Sequence, residues 1–76
     1  MNNNYFELDA KEVFERAGVD PQPNPELFRE VMSILGTKMA SLSVRLGLSW
    51  ERVRLYKEQK EALVQDLIAR TSKPHG

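Results

Sequence analysis

The fold of this chain turns on residues 45–56, which read RLGLSWERVRLY. Gly47 can adopt the left-handed backbone conformation that commonly ends a helix, so it predicts a helix stop. Ser49 is a favoured N-cap, because its hydroxyl can accept a hydrogen bond from a free amide of the first turn. The stretch therefore predicts one helix that ends near Leu46, a short turn, and a second helix that begins near Trp50.

Upstream of this turn the apolar residues recur at helical spacing, and no strand pattern appears. Asp9 is predicted to cap a first helix that ends at Gly18. Residues 19–25 contain three prolines and predict a stiff extended connector. Asn24 followed by Pro25 is a typical helix opening, with a capping residue and then proline at the first helical position.

The spacing around the central turn predicts several short helices. Gly36 is predicted to end the second helix, and Thr37 to cap a third that runs to Gly47. Downstream of Ser49, residues 58–60 lie in an all-polar gap that favours a break between two helices. The predicted fold class is therefore all-α, a compact orthogonal bundle of four to five short helices.

Length and composition predict one helical domain over residues 1–76, with residues 1–7 and 71–76 disordered. The chain has no cysteine, and its first residues lack the basic and apolar regions of a signal peptide. No apolar run approaches the roughly 20 residues that span a membrane. These features predict a cytoplasmic or nuclear protein with no membrane role.

Charge is balanced overall but is unevenly distributed. Eleven basic and eleven acidic side chains give a net charge of zero. Residues 1–35 hold three basic and seven acidic side chains, whereas residues 36–76 hold eight basic and four acidic ones. Complementary potentials of this kind steer association, so the pattern fits either solvated helix faces or a bipolar surface that binds a partner.

The sequence offers no constellation for catalysis or metal binding. His75 is the single histidine and lies after Pro74 near the end of the chain. Structural zinc needs about four nitrogen or sulfur ligands, and a catalytic histidine needs rigid placement. The four glycines are isolated from one another, so no phosphate-binding loop is present. We therefore expect no enzyme activity and no cofactor.

Residues 39–58, MASLSVRLGLSWERVRLYKE, resemble the helix-turn-helix motif of DNA-binding domains. In that motif apolar residues hold the two helices together; here these are Leu42, Leu46, Leu48 and Val53. The resemblance implies that residues 49–58 form a recognition helix. Its DNA-binding side chains would be Trp50, Arg52, Arg54 and Lys57. Glu51 and Glu58 on the same helix and the zero net charge weigh against this interpretation.

Residues 35–53, LGTKMASLSVRLGLSWERV, also resemble the central part of a death domain. The matching positions are Leu35, Gly36, Met39, Leu42, Ser43, Leu46, Gly47, Leu48, Ser49 and Val53. Residues 60–70 resemble the helix that follows in that fold, so the likeness covers about residues 27–70. Met39 stands where the family has its hallmark tryptophan, and the tryptophan that often closes the later helix is absent near Ala69.

The death-domain resemblance implies a non-enzymatic protein–protein interaction module. Such domains act by homotypic or heterotypic assembly through charged patches. The resemblance therefore implies another protein domain as partner, and this includes a domain of the same fold or a second copy of the chain. The candidate basic patch comprises Arg45, Arg52, Arg54, Lys57 and Lys60. The candidate acidic patch comprises Glu7, Asp9, Glu12 and Glu15.

Three interpretations therefore stay open: an interaction module, a DNA-binding domain and a generic small helical bundle. Nucleic acid is a partner only under the second. Trp50 distinguishes them, because a buried Trp50 favours a packed bundle and an exposed Trp50 favours a helix that reads DNA.

Overall fold

The computed structural model describes residues 4–71 as three α-helices. Helix α1 spans Asn4–Ala17, α2 spans Pro25–Leu46 and α3 spans Trp50–Thr71. The predicted all-α class is confirmed for these residues, whereas the predicted bundle of four to five short helices is wrong. Both predicted internal breaks are absent, so two long helices replace four shorter ones.

Helix α1 begins at Asn4, ahead of the start predicted at Asp9. Residues 4–7, predicted to be disordered, therefore belong to a helix. The helix ends as predicted at Gly18, whose φ is 75°. The Val19 amide donates to the Phe14 carbonyl at 2.9 Å and the Gly18 amide to the Glu15 carbonyl at 3.1 Å, which is the Schellman pattern.

Thr71, placed by the sequence in a disordered tail, lies in the last turn of α3. Its hydroxyl donates a hydrogen bond of 2.9 Å to the Leu67 carbonyl. The rest of the predicted disordered ends, residues 1–3 and 72–76, lies outside the described residues.

Helix α2 opens at the predicted position but without the predicted side-chain cap. Asn24 accepts the first helical hydrogen bond from the Phe28 amide at 3.0 Å, and Pro25 follows as the first helical residue. The Asn24 side chain instead donates to the Asp20 carbonyl at 3.1 Å, within the connector. The proline and the backbone therefore define this end of the helix.

Helix α2 continues through Gly36, which was wrongly predicted to end it. A glycine inside a helix costs only about 1 kcal/mol relative to alanine. The Phe6 ring of α1 packs over Gly36, 3.7 Å from the position that a Cβ would occupy. Packing against α1 therefore outweighs the weak local signal, and Thr37 lies within the helix rather than at its start.

Helix α3 starts as predicted and then runs without the predicted break at residues 58–60. The Ser49 hydroxyl accepts a hydrogen bond from the Arg52 amide at 3.2 Å, which is the expected N-cap contact. Lys60 interrupts the apolar stripe in the sequence, but α1 supplies carboxylates that bind it. The polar gap is therefore matched by polar residues on the neighbouring helix.

Helix α3 runs back along α2, so the two long helices form an antiparallel hairpin and not an orthogonal pair. Near the turn the Arg52 side chain reaches Ser43. Further along, Gln59 shares a groove with Ser33 and Thr37. Buried residues from all three helices form the core: Ala10, Val13, Phe14, Val31, Leu35, Leu42, Tyr56, Leu63, Val64 and Leu67.

Helix α1 covers only part of this hairpin. The Phe14 ring packs against the Phe28 ring at a centroid distance of 5.3 Å, and Phe6 lies beside Gly36. Because α1 begins only two residues before Phe6, the last two turns of α2 extend beyond it. The hairpin end, including the turn at residues 47–49, therefore projects past α1.

Candidate functional site

The predicted acidic and basic patches meet inside one molecule. The Lys60 ammonium lies 2.9 Å from Glu12 Oε1 and 3.6 Å from Asp9 Oδ1, and only 16% of the Lys60 side chain is exposed. The Tyr56 hydroxyl donates to Asp9 Oδ2 at 2.5 Å. These contacts join α1 to α3, so three of the predicted patch residues hold the fold together.

Burial and this hydrogen bond also control the Tyr56 hydroxyl. Removal from water raises the pKa of Tyr56 well above its usual range, and the hydrogen bond to Asp9 raises it further. The negative charge of Asp9 and Glu12 acts in the same direction. These effects all favour the protonated phenol, which is the form that donates the hydrogen bond.

Arg52, predicted for both the basic patch and the DNA-reading set, packs against α2. Its guanidinium contacts Ser43 Oγ at 3.3 Å and Met39 Sδ at 3.8 Å. Its Nε is buried with no hydrogen-bond partner among the described residues. A side chain held in this way fastens the two long helices near the turn and is not directed outward.

Arg54 is exposed but already carries two carboxylate partners. It hydrogen-bonds to Glu51, and its Nη1 lies 2.8 Å from Glu58 Oε2. The hydrogen bond to Glu51, together with the charges of Glu51 and Glu58, raises the pKa of Arg54. The three side chains form one ladder of ion pairs along α3, in which two carboxylates surround one guanidinium.

The other predicted patch residues do not converge on one place. Arg45 is exposed in the last turn of α2, and Lys57 is exposed on α3. Glu7 lies 4.0 Å from Lys11 on α1, and Glu15 is exposed on the same helix. Of the two predicted patches, the structure brings together Asp9, Glu12 and Lys60, whereas the remaining members are spread over three helices.

The projecting hairpin end exposes four large apolar side chains, which we call the apolar tip: Val44, Leu48, Trp50 and Val53. Their exposed fractions are 86%, 90%, 85% and 37%. Trp50 and Val53 share one groove along α3 with Lys57, and share a second with Leu48. Of the five large apolar side chains that are exposed among residues 6–71, four belong to this tip.

Sequence reasoning missed the apolar tip as a site. It treated Leu48 and Val53 as residues that join the helices, and left open whether Trp50 is buried or exposed. One signal was available: Val44 stands two residues from the core residue Leu42, a turn of roughly 200° that places it on the opposite side of a helix.

In the sequence analysis an exposed Trp50 favours a helix that reads DNA, and Trp50 is exposed in the structure. The surrounding geometry is less favourable, because α3 lies along α2 instead of standing across it as a recognition helix does. Arg52 is also packed inward and Arg54 is neutralised. Of the four predicted DNA-binding residues, Trp50 and Lys57 remain available.

Residues 4–71 contain no group of three or more histidine, cysteine, aspartate or glutamate side chains placed to hold a metal ion. None of the three helices is both long and apolar enough to cross a bilayer.

Comparisons with protein-family models, with curated proteins and with solved structures found no match. The resemblance to death domains therefore rests on the residues quoted above and stays a prediction.

Proposed function

We propose that this chain is a non-enzymatic protein–protein interaction module that assembles with a second copy of itself through the apolar tip. The observation that carries the proposal is the exposure of Leu48 and Trp50, at 90% and 85%. Large contiguous apolar patches on a small domain commonly mark interaction sites. Aromatic residues such as tryptophan are enriched at the centre of protein interfaces.

The charge balance supports a second copy as the partner. A net charge of zero provides no overall repulsion between copies and favours association. The resemblance to death domains supports the same class of function, since such domains act by assembly. The absence of cysteine suits the reducing environment of the cytoplasm or nucleus.

The assembly contact proposed here differs from the charged patches expected from sequence. Lys60, Asp9 and Glu12 contribute to the fold through their mutual contacts, so they are poor candidates for binding a partner. An apolar centre with a polar rim fits the usual composition of a protein interface better. Lys57 and Arg45 would belong to that rim.

The proposal predicts that replacing Trp50 with Ala and Leu48 with Ser abolishes self-association. Both side chains are mostly exposed, so the loss of apolar contact should weaken the dimer without unfolding the chain. Sedimentation equilibrium over a wide concentration range measures the association, and circular dichroism measures the helix content. Leu8→Ser is the matched control, because Leu8 is 63% exposed on α1, away from the tip. A wild-type chain that stays monomeric at every concentration would contradict the proposal.

DNA binding through α3 is a second candidate, favoured by the exposure of Trp50. Exposed Arg45 and Lys57 could contact phosphate. A titration with duplex DNA, followed through the amide signals of residues 49–58, distinguishes the two candidates. Binding that weakens steeply with salt supports DNA binding, whereas unchanged signals exclude it.

A further inference from the structure

An open groove lies between the start of α1 and the N-terminal half of α2. Its apolar part is formed by Phe6, Met32 and Gly36. Phe6 and Met32 are only partly buried, although both pack against the core. Gly36 has no side chain that could fill the groove, and a Cβ at this position would lie 3.7 Å from the Phe6 ring. The groove therefore presents an aromatic ring and a methionine side chain to a partner.

The groove carries a net negative charge, because Glu26 and Glu30 line it together with a single cation, Arg29. All three of these residues are exposed. Neither glutamate forms an ion pair within residues 4–71. Both carboxylates can therefore bind a cation or a hydrogen-bond donor from outside the chain.

The apolar tip and the side chains around it carry the opposite charge. Residues 44–58 hold four basic and two acidic side chains, which gives a net charge of +2. Arg45 and Lys57 are exposed, and neither has a carboxylate within 4.0 Å in the part of the chain that the structure describes. Two tips that faced each other would bring like charges together, whereas a tip in the groove brings opposite charges together.

The tip and the groove also match in shape and in hydrogen-bonding groups. The tip projects past α1 and exposes Leu48 and Trp50, whereas the groove is concave. The indole N–H of Trp50 needs an acceptor when the ring leaves water, and the glutamates of the groove supply carboxylate oxygens. Aromatic rings and methionine sulfur both pack favourably against an indole, which suits the apolar part of the groove.

We infer that the apolar tip of one copy binds in this groove of a second copy, so that copies add head to tail. The inference rests on the proposed function, because it names the surface that the tip binds. Trp50 of one copy packs against Phe6 and Met32 of the next, and its indole N–H donates to a glutamate of the groove. Arg45 and Lys57 lie over the acidic side chains that flank it.

This contact joins two different surfaces, so a dimer keeps one free tip and one free groove and can add further copies. Each contact is small, because one buried aromatic side chain supplies roughly 150–250 Å² whereas a standard interface buries about 1,600 Å² in total. We therefore expect weak assembly that grows with concentration and does not stop at two chains.

Two variants of the full chain test the two surfaces separately. The tip variant carries Leu48→Ser and Trp50→Ala, which remove the apolar side chains that enter the groove. The groove variant carries Glu30→Lys and Ser33→Arg, which add bulk and positive charge where both residues line the groove. Each variant alone should self-associate at least about tenfold more weakly than wild type, because it lacks one half of every contact.

An equimolar mixture of the two variants should form a one-to-one dimer and nothing larger. The intact tip of the groove variant binds the intact groove of the tip variant, and the dimer then has no functional surface left. Glu15→Lys with Gln65→Arg is the matched control, since it changes the net charge by the same amount at exposed positions outside both surfaces. The control should assemble as wild type does. Sedimentation velocity with one variant fluorescently labelled measures the species, and circular dichroism measures the helix content.

The outcomes separate this inference from the proposed function. If the tip variant is monomeric but the groove variant assembles as wild type does, the groove contact is overturned while the proposed function stands. If the mixture of the two variants stays monomeric, the head-to-tail contact is overturned as well. If wild-type chains never associate, the proposed function fails and the groove contact fails with it. A dimer in the mixture, with larger species only in wild type and control, supports the inference.

Discussion

Tyr56 links the chemistry of one side chain to the stability of the whole fold. Its hydroxyl donates to Asp9 at the contact between α1 and α3. An unfolded tyrosine ionises near pH 10, whereas burial and the Asp9 hydrogen bond raise the pKa of Tyr56 in the folded chain. The contribution of the Tyr56 hydroxyl to the free energy of unfolding is therefore fully present below about pH 10. It is lost as the pH rises further, because the unfolded state then binds fewer protons than the folded state.

Tyr56→Phe should lower the free energy of unfolding by about 1 kcal/mol at pH 7, since it removes a hydrogen bond to a carboxylate that is partly exposed. The difference in the free energy of unfolding between wild type and variant should narrow above about pH 10. At that pH the tyrosine of the unfolded wild-type chain ionises, and its ionisation stabilises the unfolded state. Urea denaturation at pH 7, 9 and 11 measures both effects. A difference that stays constant across these values would show that the hydroxyl contributes nothing through its ionisation.

At the scale of one element, α2 continues through Gly36 because Phe6 of α1 packs over this glycine. A Cβ added at Gly36 would lie 3.7 and 3.8 Å from Phe6 ring atoms, which is ordinary van der Waals distance. Alanine therefore fits at this position. It also restricts the unfolded chain more than glycine does.

Gly36→Ala should raise the free energy of unfolding by about 0.5–1 kcal/mol, the difference between the two residues inside a helix. The shift of the urea midpoint measures the change. Gly47→Ala is the opposing control: Gly47 has a φ of 63°, which alanine adopts at a cost, so this variant should be less stable. A Gly36→Ala chain that is less stable than wild type would mean that Phe6 cannot accommodate the methyl group.

The ends of the three helices show which predictions from sequence succeeded. Gly18, Gly47, Ser49 and Pro25 were interpreted correctly because backbone conformation and nearby amides decide what they do. The breaks at Gly36 and at residues 58–60 were wrong because contacts with another helix decide those positions. The apolar tip was missed for a related reason: whether Trp50 is buried depends on how the three helices pack against one another, and the spacing of residues along one helix does not specify that packing.

At the scale of the whole molecule, the core depends on α1 although α1 is the shortest helix. Ala10, Val13 and Phe14 are fully buried, and Phe14 is among the largest fully buried side chains. A chain of this length has a net stability of roughly 4–11 kcal/mol. The loss of one such side chain therefore removes a large part of the total.

Phe14→Ala should lower the free energy of unfolding by about 3–5 kcal/mol, since it combines lost burial with a cavity. For a domain of this size that corresponds to a fall in Tm of at least about 12 °C. Thermal unfolding followed by circular dichroism measures it. Leu8→Ala, on the exposed side of the same helix, should change the Tm by little. A Phe14→Ala chain that unfolds within a few degrees of wild type would place the core elsewhere.

The turn at residues 47–49 has a consequence for the order of folding. It joins two 22-residue helices through three residues, so the contacts between α2 and α3 nearest the turn close short loops. Short loops lose little chain entropy on closing, and local contacts form fast. We therefore expect the hairpin to form first and α1 to dock afterwards. Every residue of the apolar tip belongs to the hairpin. That surface would therefore already be present before α1 has docked, and it would persist when α1 transiently undocks.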